Sequence, residues 1–164
     1  MLHSGRLGLL AVISVIFVVK VADSGAYFVG KSFGKHKMAP TLSPKKTWEG
    51  AVGAVVFAMV AALIFLQVIV PRLSPAAAPG SIVALLGYGV TLAVAGMIGD
   101  LGESLIKRDV GQKDSASWLP GLGGVLDMLD SLLLAAPVGY LWWTSGLVAG
   151  IRQSGALTAL PHMP

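Results

Sequence analysis

The chain contains no cysteine and little charge, and both features narrow what it can be. Only 12% of its 164 residues are charged, against roughly 25% in soluble domains. Without cysteine it forms no disulfide and uses no thiolate as nucleophile or metal ligand. Hydrophobic residues make up 55% of the chain, and the mean hydropathy is +0.78. This composition is typical of a membrane protein.

Four apolar runs predict how the chain is organised. They cover residues 7–29, 51–70, 82–98 and 132–151, and a helix needs about 20 apolar residues to cross a bilayer. The alternating pattern of a membrane barrel is absent, and an open sheet leaves backbone groups unsatisfied in lipid. We therefore expect an all-α polytopic bundle with about four or five transmembrane helices.

Basic residues predict the orientation of this bundle. Two loops, residues 30–47 and 107–118, hold eight of the twelve: Lys31, Lys35, Lys37, Lys45, Lys46, Lys107, Arg108 and Lys113. With four spans, both loops lie on one side, which the positive-inside rule makes cytoplasmic. We expect a multi-pass protein of the cell (inner or plasma) membrane whose functional site faces the cytoplasm.

Acidic residues lie near the same ends of the predicted helices. Asp100 and Glu103 are three positions apart, as are Asp127 and Asp130, so each pair shares one helix face. Carboxylates combined with substrate phosphates suit Mg²⁺. We predict a metal site at Asp100, Asp127 and Asp130. Asp109, in contrast, is expected to pair with nearby cations.

Two interpretations remain open for Asp23, in the first apolar run. It either forms an intramembrane salt bridge with Lys20, three residues earlier, or lines the same polar cavity as the other acids. The sequence favours neither.

The loop ahead of the second apolar run has the features of a phosphate site. Lys45 and Lys46 directly precede a predicted helix, whose free backbone N–H groups favour phosphate. Thr47 is a suitable N-cap, and Ser43-Pro44 predicts a turn. The alternative is a basic juxtamembrane loop that only attracts anionic lipid.

Four segments carry a resemblance to a known family. They are ADSGAYFVGKSFGKHK at 22–37, SPKKTWEG at 43–50, GDLGESLIKRDVGQKD at 99–114 and LPGLGGVLDMLDS at 119–131. Together they resemble the conserved C-terminal catalytic part of the phosphatidate cytidylyltransferases, or CDP-diacylglycerol synthases. Leu122 and Met128 depart from the family pattern, which has histidine and arginine there. We expect residues 1–164 to form a single transmembrane catalytic domain without the N-terminal helices usual in the family.

The resemblance implies an activity and a set of site residues. The enzyme would be an integral membrane nucleotidyltransferase of phospholipid biosynthesis that condenses CTP with phosphatidate to give CDP-diacylglycerol and pyrophosphate. Mg²⁺ would be its cofactor, with room for a second, monovalent cation. Catalysis would fall to Asp100, Lys107 and Asp127, and metal binding to Asp100, Asp127 and Asp130. Substrate would be bound by Ser43, Lys45, Lys46, Arg108, Lys113, Gly123 and Gly124.

Three other functions remain as alternatives. A CTP-dependent lipid-alcohol (polyprenol-type) kinase shares the membrane setting, the nucleotide and the metal. A small membrane transporter would distribute polar residues through the midplane, whereas the second and third runs carry no charge and the charged residues gather at one surface. An inactive truncated remnant is the third alternative. Among partners we expect the bilayer and no nucleic acid, and we leave a homodimer open.

The first prediction is that both basic loops face the cytoplasm. The chain has no native thiol, so single cysteines at His36 and Gln112 report the side of each loop. An impermeant maleimide should label both from the cytoplasmic side and neither from the other. Labelling of the two positions from opposite sides would contradict the topology.

Overall fold

A computed structural model describes residues 2–75, 77–109 and 123–151 of the chain. In these ranges the helices are α1 (Leu2–Phe33), α2 (Trp48–Ile64), α3 (Val70–Leu73), α4 (Ile82–Asp109) and α5 (Gly123–Thr144). Two short antiparallel pairs join them: β1 (Lys37–Ala39) with β2 (Ser43–Thr47), and β3 (Ala77–Pro79) with β4 (Ala149–Ile151). The predicted all-α bundle is confirmed, with two small additions: the β1–β2 hairpin, and the β3–β4 pair, whose strands are far apart in the sequence.

Three of the described helical stretches are long and apolar enough to cross a membrane. They are Gly5–Phe33, Trp48–Leu73 and Ile82–Ile106, with hydropathies of 2.1, 2.7 and 2.0. Helix α5, with 22 residues, is the fourth long helix and carries Asp127 and Asp130 in its first half. The structure therefore supplies four long helices for the four predicted runs.

The helices extend beyond the predicted runs at several ends, and α5 stops before its run does. Pro71 was expected to stop the second run, but the helix continues to Leu73. A π-helical turn at Phe65–Ile69 precedes the proline, and such a turn shifts the hydrogen-bond ladder around its missing N–H. The fourth run was expected to stay helical to residue 151, whereas α5 ends at Thr144. Gly146 then adopts a φ of 72°, a common way to end a helix.

Small residues let the helices approach one another closely. The buried face of α2 carries Ala54, Ala58, Ala61 and Ala62. A Cβ on Gly89 of α4 would lie 2.8 Å from the Ala58 carbonyl oxygen. Lipid offers no hydrophobic drive to associate helices, so such close backbone packing is what holds a membrane bundle together.

A buried hydrogen-bond network joins α1, α4 and α5 within the apolar part of the bundle. The Ser14 hydroxyl lies 2.7 Å from the Tyr88 hydroxyl, and the Trp143 indole N–H donates to Ser14 at 3.1 Å. The Trp142 indole N–H donates to Thr91 Oγ1 at 2.8 Å. Because each of these polar groups has a hydrogen-bond partner, its burial in apolar surroundings costs less free energy than that of an unpaired group.

The second prediction concerns the α2–α4 contact. Gly89→Ala should lower the free energy of unfolding by about 1–3 kcal/mol, because its methyl group meets backbone atoms that cannot move aside. Gly102→Ala is the matched control, since a Cβ there meets nothing within 4 Å. Thermal unfolding in detergent compares the two. Equal melting temperatures for both variants would show that the helices are not packed at Gly89.

Candidate functional site

A polar cavity of about 630 Å³ lies at one end of the bundle, beside the β1–β2 hairpin. The second half of α1, the start of α2, the second half of α4 and the first half of α5 meet there with the hairpin. Six charged side chains line it: Asp23, Lys45, Lys46, Asp100, Glu103 and Asp130. The predicted substrate residue Ser43 lines it as well. The structure thus brings together cations and carboxylates that are far apart in the sequence.

Lys46 and Asp100 contact each other directly. The Lys46 ammonium lies 2.7 Å from the Asp100 carboxylate, and only 19% of the Lys46 side chain is exposed. Sequence patterns had assigned Lys46 to a phosphate and Asp100 to a metal. Their pairing gives each charge a counter-charge in a partly buried site, where an unpaired charge is costly.

The hairpin is fixed to the start of α2 by its last residue. Thr47 is buried and caps α2, its hydroxyl oxygen accepting a hydrogen bond from the Gly50 N–H at 3.2 Å. The cap was predicted correctly, but the turn was not. Ser43 and Pro44 lie in β2, and the turn falls at residues 40–42 because Ala39 pairs with Ser43.

His36 and Glu49 hold the other side of the hairpin. The His36 ring nitrogen Nδ1 lies 2.7 Å from Glu49, and the His36 backbone N–H donates to both carboxylate oxygens at 3.2 Å. The Trp48 N–H donates back to the His36 carbonyl at 3.0 Å. No sequence spacing points to this contact, which depends on how the strands fold back.

Arg108 contacts the hairpin rather than the cavity. Its Nε–H donates to the Leu42 carbonyl oxygen at 2.7 Å, and Arg108 is absent from the described residues that line the cavity. The predicted phosphate role is therefore not visible in its geometry. Arg108 instead connects the end of α4 to the hairpin turn.

Both interpretations of Asp23 hold at once. Lys20 donates to the Asp23 carboxylate at 3.2 Å, and Asp23 also lines the cavity. Ser131 of α5 joins them: it accepts from Lys20 at 3.2 Å and donates to Asp23 at 3.2 Å. Lys20 and Ser131 were not among the predicted site residues, although a lysine inside an apolar run is itself a signal of function.

The remaining predicted residues fall into two groups. Asp130 is 8% exposed and lies in the cavity wall together with Glu103. The spacing of Glu103 from Asp100 had placed both on one helix face, but Glu103 was given no role. The second group is described by its place in the helices alone. Lys107, Gly123, Gly124 and Asp127 are described only by their positions in α4 and α5, and Lys113 lies outside the described residues.

The donor set is of the class that Mg²⁺ takes. Carboxylates of Asp100, Glu103 and Asp130 come from two helices to one cavity, and hard oxygen ligands suit this ion. Among the side chains that the structure describes, no three His, Cys, Asp or Glu residues lie close enough to form a metal group. The predicted ligand set, which includes Asp127, stays a prediction.

Comparison with known proteins identifies what the chain is similar to. The model described as the cytidylyltransferase family matches residues 1–145. The phosphatidate cytidylyltransferase of Haemophilus influenzae is 42% identical over 135 residues, 82% of this chain and 46% of that protein. That of Bacillus subtilis is 45% identical over 133 residues, 81% and 47%. YnbB of Escherichia coli, described as uncharacterized, is 43% identical over 131 residues, 80% and 41%. The chain spans about half the length of these relatives.

The third prediction tests the Arg108 contact. Arg108→Ala should speed amide hydrogen exchange in the hairpin Lys37–Thr47 by roughly two- to tenfold, the effect of losing one exposed hydrogen bond worth about 0.5–1.4 kcal/mol. Arg72→Ala, an exposed arginine at the other end of the bundle, is the control. Unchanged exchange in Arg108→Ala would mean that the hairpin is held without it.

Proposed function

Because the chain belongs to the cytidylyltransferase family, we propose that it transfers the cytidylyl group of CTP to phosphatidate. The products are CDP-diacylglycerol and pyrophosphate. The observation that carries the proposal is the polar cavity, where carboxylates and lysines meet at one end of apolar helices. Such a site suits a charged nucleotide reacting with a lipid head group. Relatives named for this activity support it.

The chemistry of this reaction matches the side chains present. A phosphate oxygen of phosphatidate forms a bond to the α-phosphorus of CTP, and the bond from that phosphorus to the bridging oxygen of the β-phosphate breaks. Pyrophosphate leaves with the electron pair. Phosphoryl-type transfer depends on positioning and charge neutralisation more than on a covalent intermediate. The cavity needs cations for the phosphates, and Lys45 and Lys46 line it.

A divalent cation would complete the charge balance. Asp100, Asp127 and Asp130 are the residues we assign to hold Mg²⁺, with a monovalent cation as a further candidate. When bound, Mg²⁺ would neutralise phosphate oxygens and stabilise the leaving pyrophosphate. In the structure, Lys46 supplies the positive charge beside Asp100, and the Lys46 side chain lines the cavity where phosphates would bind.

The site faces the cytoplasm in this proposal. The cavity opens beside the hairpin formed by the basic loop 30–47, and positively charged loops remain on the cytoplasmic side. CTP would enter from there, while phosphatidate would reach the site from the membrane.

Two labelled forms of CTP separate the proposal from a lipid kinase. Vesicles that contain the full chain are given phosphatidate or polyprenol with CTP labelled at the α- or the γ-phosphate. Cytidylyl transfer puts the α-label into lipid with phosphatidate only. A kinase puts the γ-label into lipid with polyprenol. Label in polyprenol, or none in either lipid, would overturn the proposal for this chain.

The fourth prediction concerns the two lysines. Replacing Lys45 and Lys46 together by alanine should raise the KM for a phosphate-bearing substrate by about tenfold or more, as expected for lost charge-assisted contacts. Lys35→Ala in the same loop is the control, and steady-state kinetics compares them. If the double variant keeps wild-type kinetics, the lysines do not bind the substrate, and the loop only sets the orientation of the protein in the membrane.

The fifth prediction concerns the proposed metal site. Asp127→Asn should abolish turnover while the protein is still expressed and inserted, because the amide cannot supply the negative charge that a cation needs. Asp109→Asn is the matched control, since Asp109 ends α4 and is exposed. The readout is initial rate against Mg²⁺ concentration. Equal effects of the two substitutions would show that the metal ligands are misassigned.

A further inference from the structure

A second cavity of about 610 Å³ is an apolar groove between α1 and α5. Val12, Ile16, Leu132 and Ala136 are among its lining residues, and the lining contains no charged side chain among the described residues. The groove extends along α1 toward Gly8, where a Cβ would meet nothing within 4 Å. Its shape is a channel along two helices, and its surface is suited to hydrocarbon.

The groove and the polar cavity are lined by neighbouring turns of α1 and α5, and they share no lining residue. Ile16 of α1 lines the groove, and Val19, one turn later, lines the polar cavity. On α5, Leu132 lines the groove and its neighbour Ser131 lines the cavity. The two spaces are therefore consecutive along the same pair of helices, one apolar and one charged.

Lys20 is near this junction. It lines neither space itself, but it contacts two residues that line the polar one. It follows Ile16 by one helical turn, and its ammonium contacts Ser131 and Asp23 at 3.2 Å each. The side chain is 34% exposed, and the ammonium has three N–H donors, of which these contacts use two. A lysine inside a membrane-spanning helix is costly and is retained mainly for function. Here it places a cation at the wall of the polar cavity, one helical turn after the last α1 residue of the apolar groove.

We propose that Lys20 and the α1–α5 groove bind a phosphomonoester lipid, with the phosphate at Lys20 and an acyl chain along the groove. This deepens the proposed function, on which it rests, by placing the lipid substrate. The α1 residues that line the groove run from Leu7 to Ile16, about 14 Å along the helix, and one leaflet of hydrocarbon is about 15 Å thick. The groove is thus long enough for most of one acyl chain.

Photolabelling tests the site directly. Phosphatidate with a diazirine near the end of one acyl chain is irradiated in vesicles that contain the full chain, and labelled peptides are mapped by mass spectrometry. Label is expected on the groove faces of α1 and α5, and not on the exposed face of α2 at Val52, Val56 and Val60. Unlabelled phosphatidate should displace it, and diacylglycerol, which lacks the phosphate, should not.

Variants at Lys20 test recognition of the phosphate. Lys20→Met should reduce groove labelling and raise the KM for phosphatidate about tenfold or more, leaving the KM for CTP unchanged. Lys20→Arg should largely restore both, which separates lost binding from misfolding. Lys31→Met, an exposed lysine of the same helix, is the matched control.

Variants in the groove test the acyl chain. Ala136→Phe should reduce labelling because it fills the groove, while Leu133→Phe on the exposed face of α5 should not. Label spread evenly over the helices, or displacement by diacylglycerol equal to that by phosphatidate, would overturn the inference. So would a Lys20→Met variant with wild-type labelling. Groove labelling without any CDP-diacylglycerol formed would instead overturn the proposed function and leave the lipid site standing.

Discussion

Lys46 and Asp100 form an ion pair across 2.7 Å, and this contact joins the β1–β2 hairpin to α4. Further bonds keep the hairpin in place, among them those from Thr47 to the start of α2, from Arg108 to Leu42 and between His36 and Glu49. Charged groups at the end of an apolar bundle are stable only with partners. The pairing therefore holds the hairpin over the cavity and keeps a cation beside a carboxylate within it.

Close helix packing brings the polar ends of four helices to one cavity. A Cβ on Gly53 of α2 would lie 3.0 Å from the Gly25 carbonyl oxygen of α1, and Gly89 brings α4 equally near to α2. Such approaches need small residues, because packing and hydrogen bonds replace the hydrophobic effect between helices in lipid. With the backbones this close, the polar ends of α1, α2, α4 and α5 share one space.

Hydropathy and charge predicted the four long helices and singled out the charged side chains that line the polar cavity, since both signals are local in sequence. Tertiary contacts decided the rest. The helix continues past Pro71 after a π-helical turn. The last residues of the fourth run form β4, which pairs with β3. Asp100 contacts Lys46, more than fifty positions earlier. Helix and strand periodicity relates only residues that are close in sequence, so the partners of Lys46 and Arg108 could be found only from the fold.

The adjacency of two unlike cavities bears on how a membrane enzyme can join a soluble nucleotide to a lipid. One space is charged and opens beside the hairpin, and the other is apolar and lies between α1 and α5. An amphiphile satisfies both only if its phosphate lies where they meet, because a charge in the groove or a chain among carboxylates is unfavourable. Lys20 is bonded to Asp23 and Ser131, which line the charged space, and Ser131 is next in sequence to Leu132 of the apolar one. In the proposed reaction, the position of one lysine would thus fix how deep the lipid phosphate sits relative to the nucleotide.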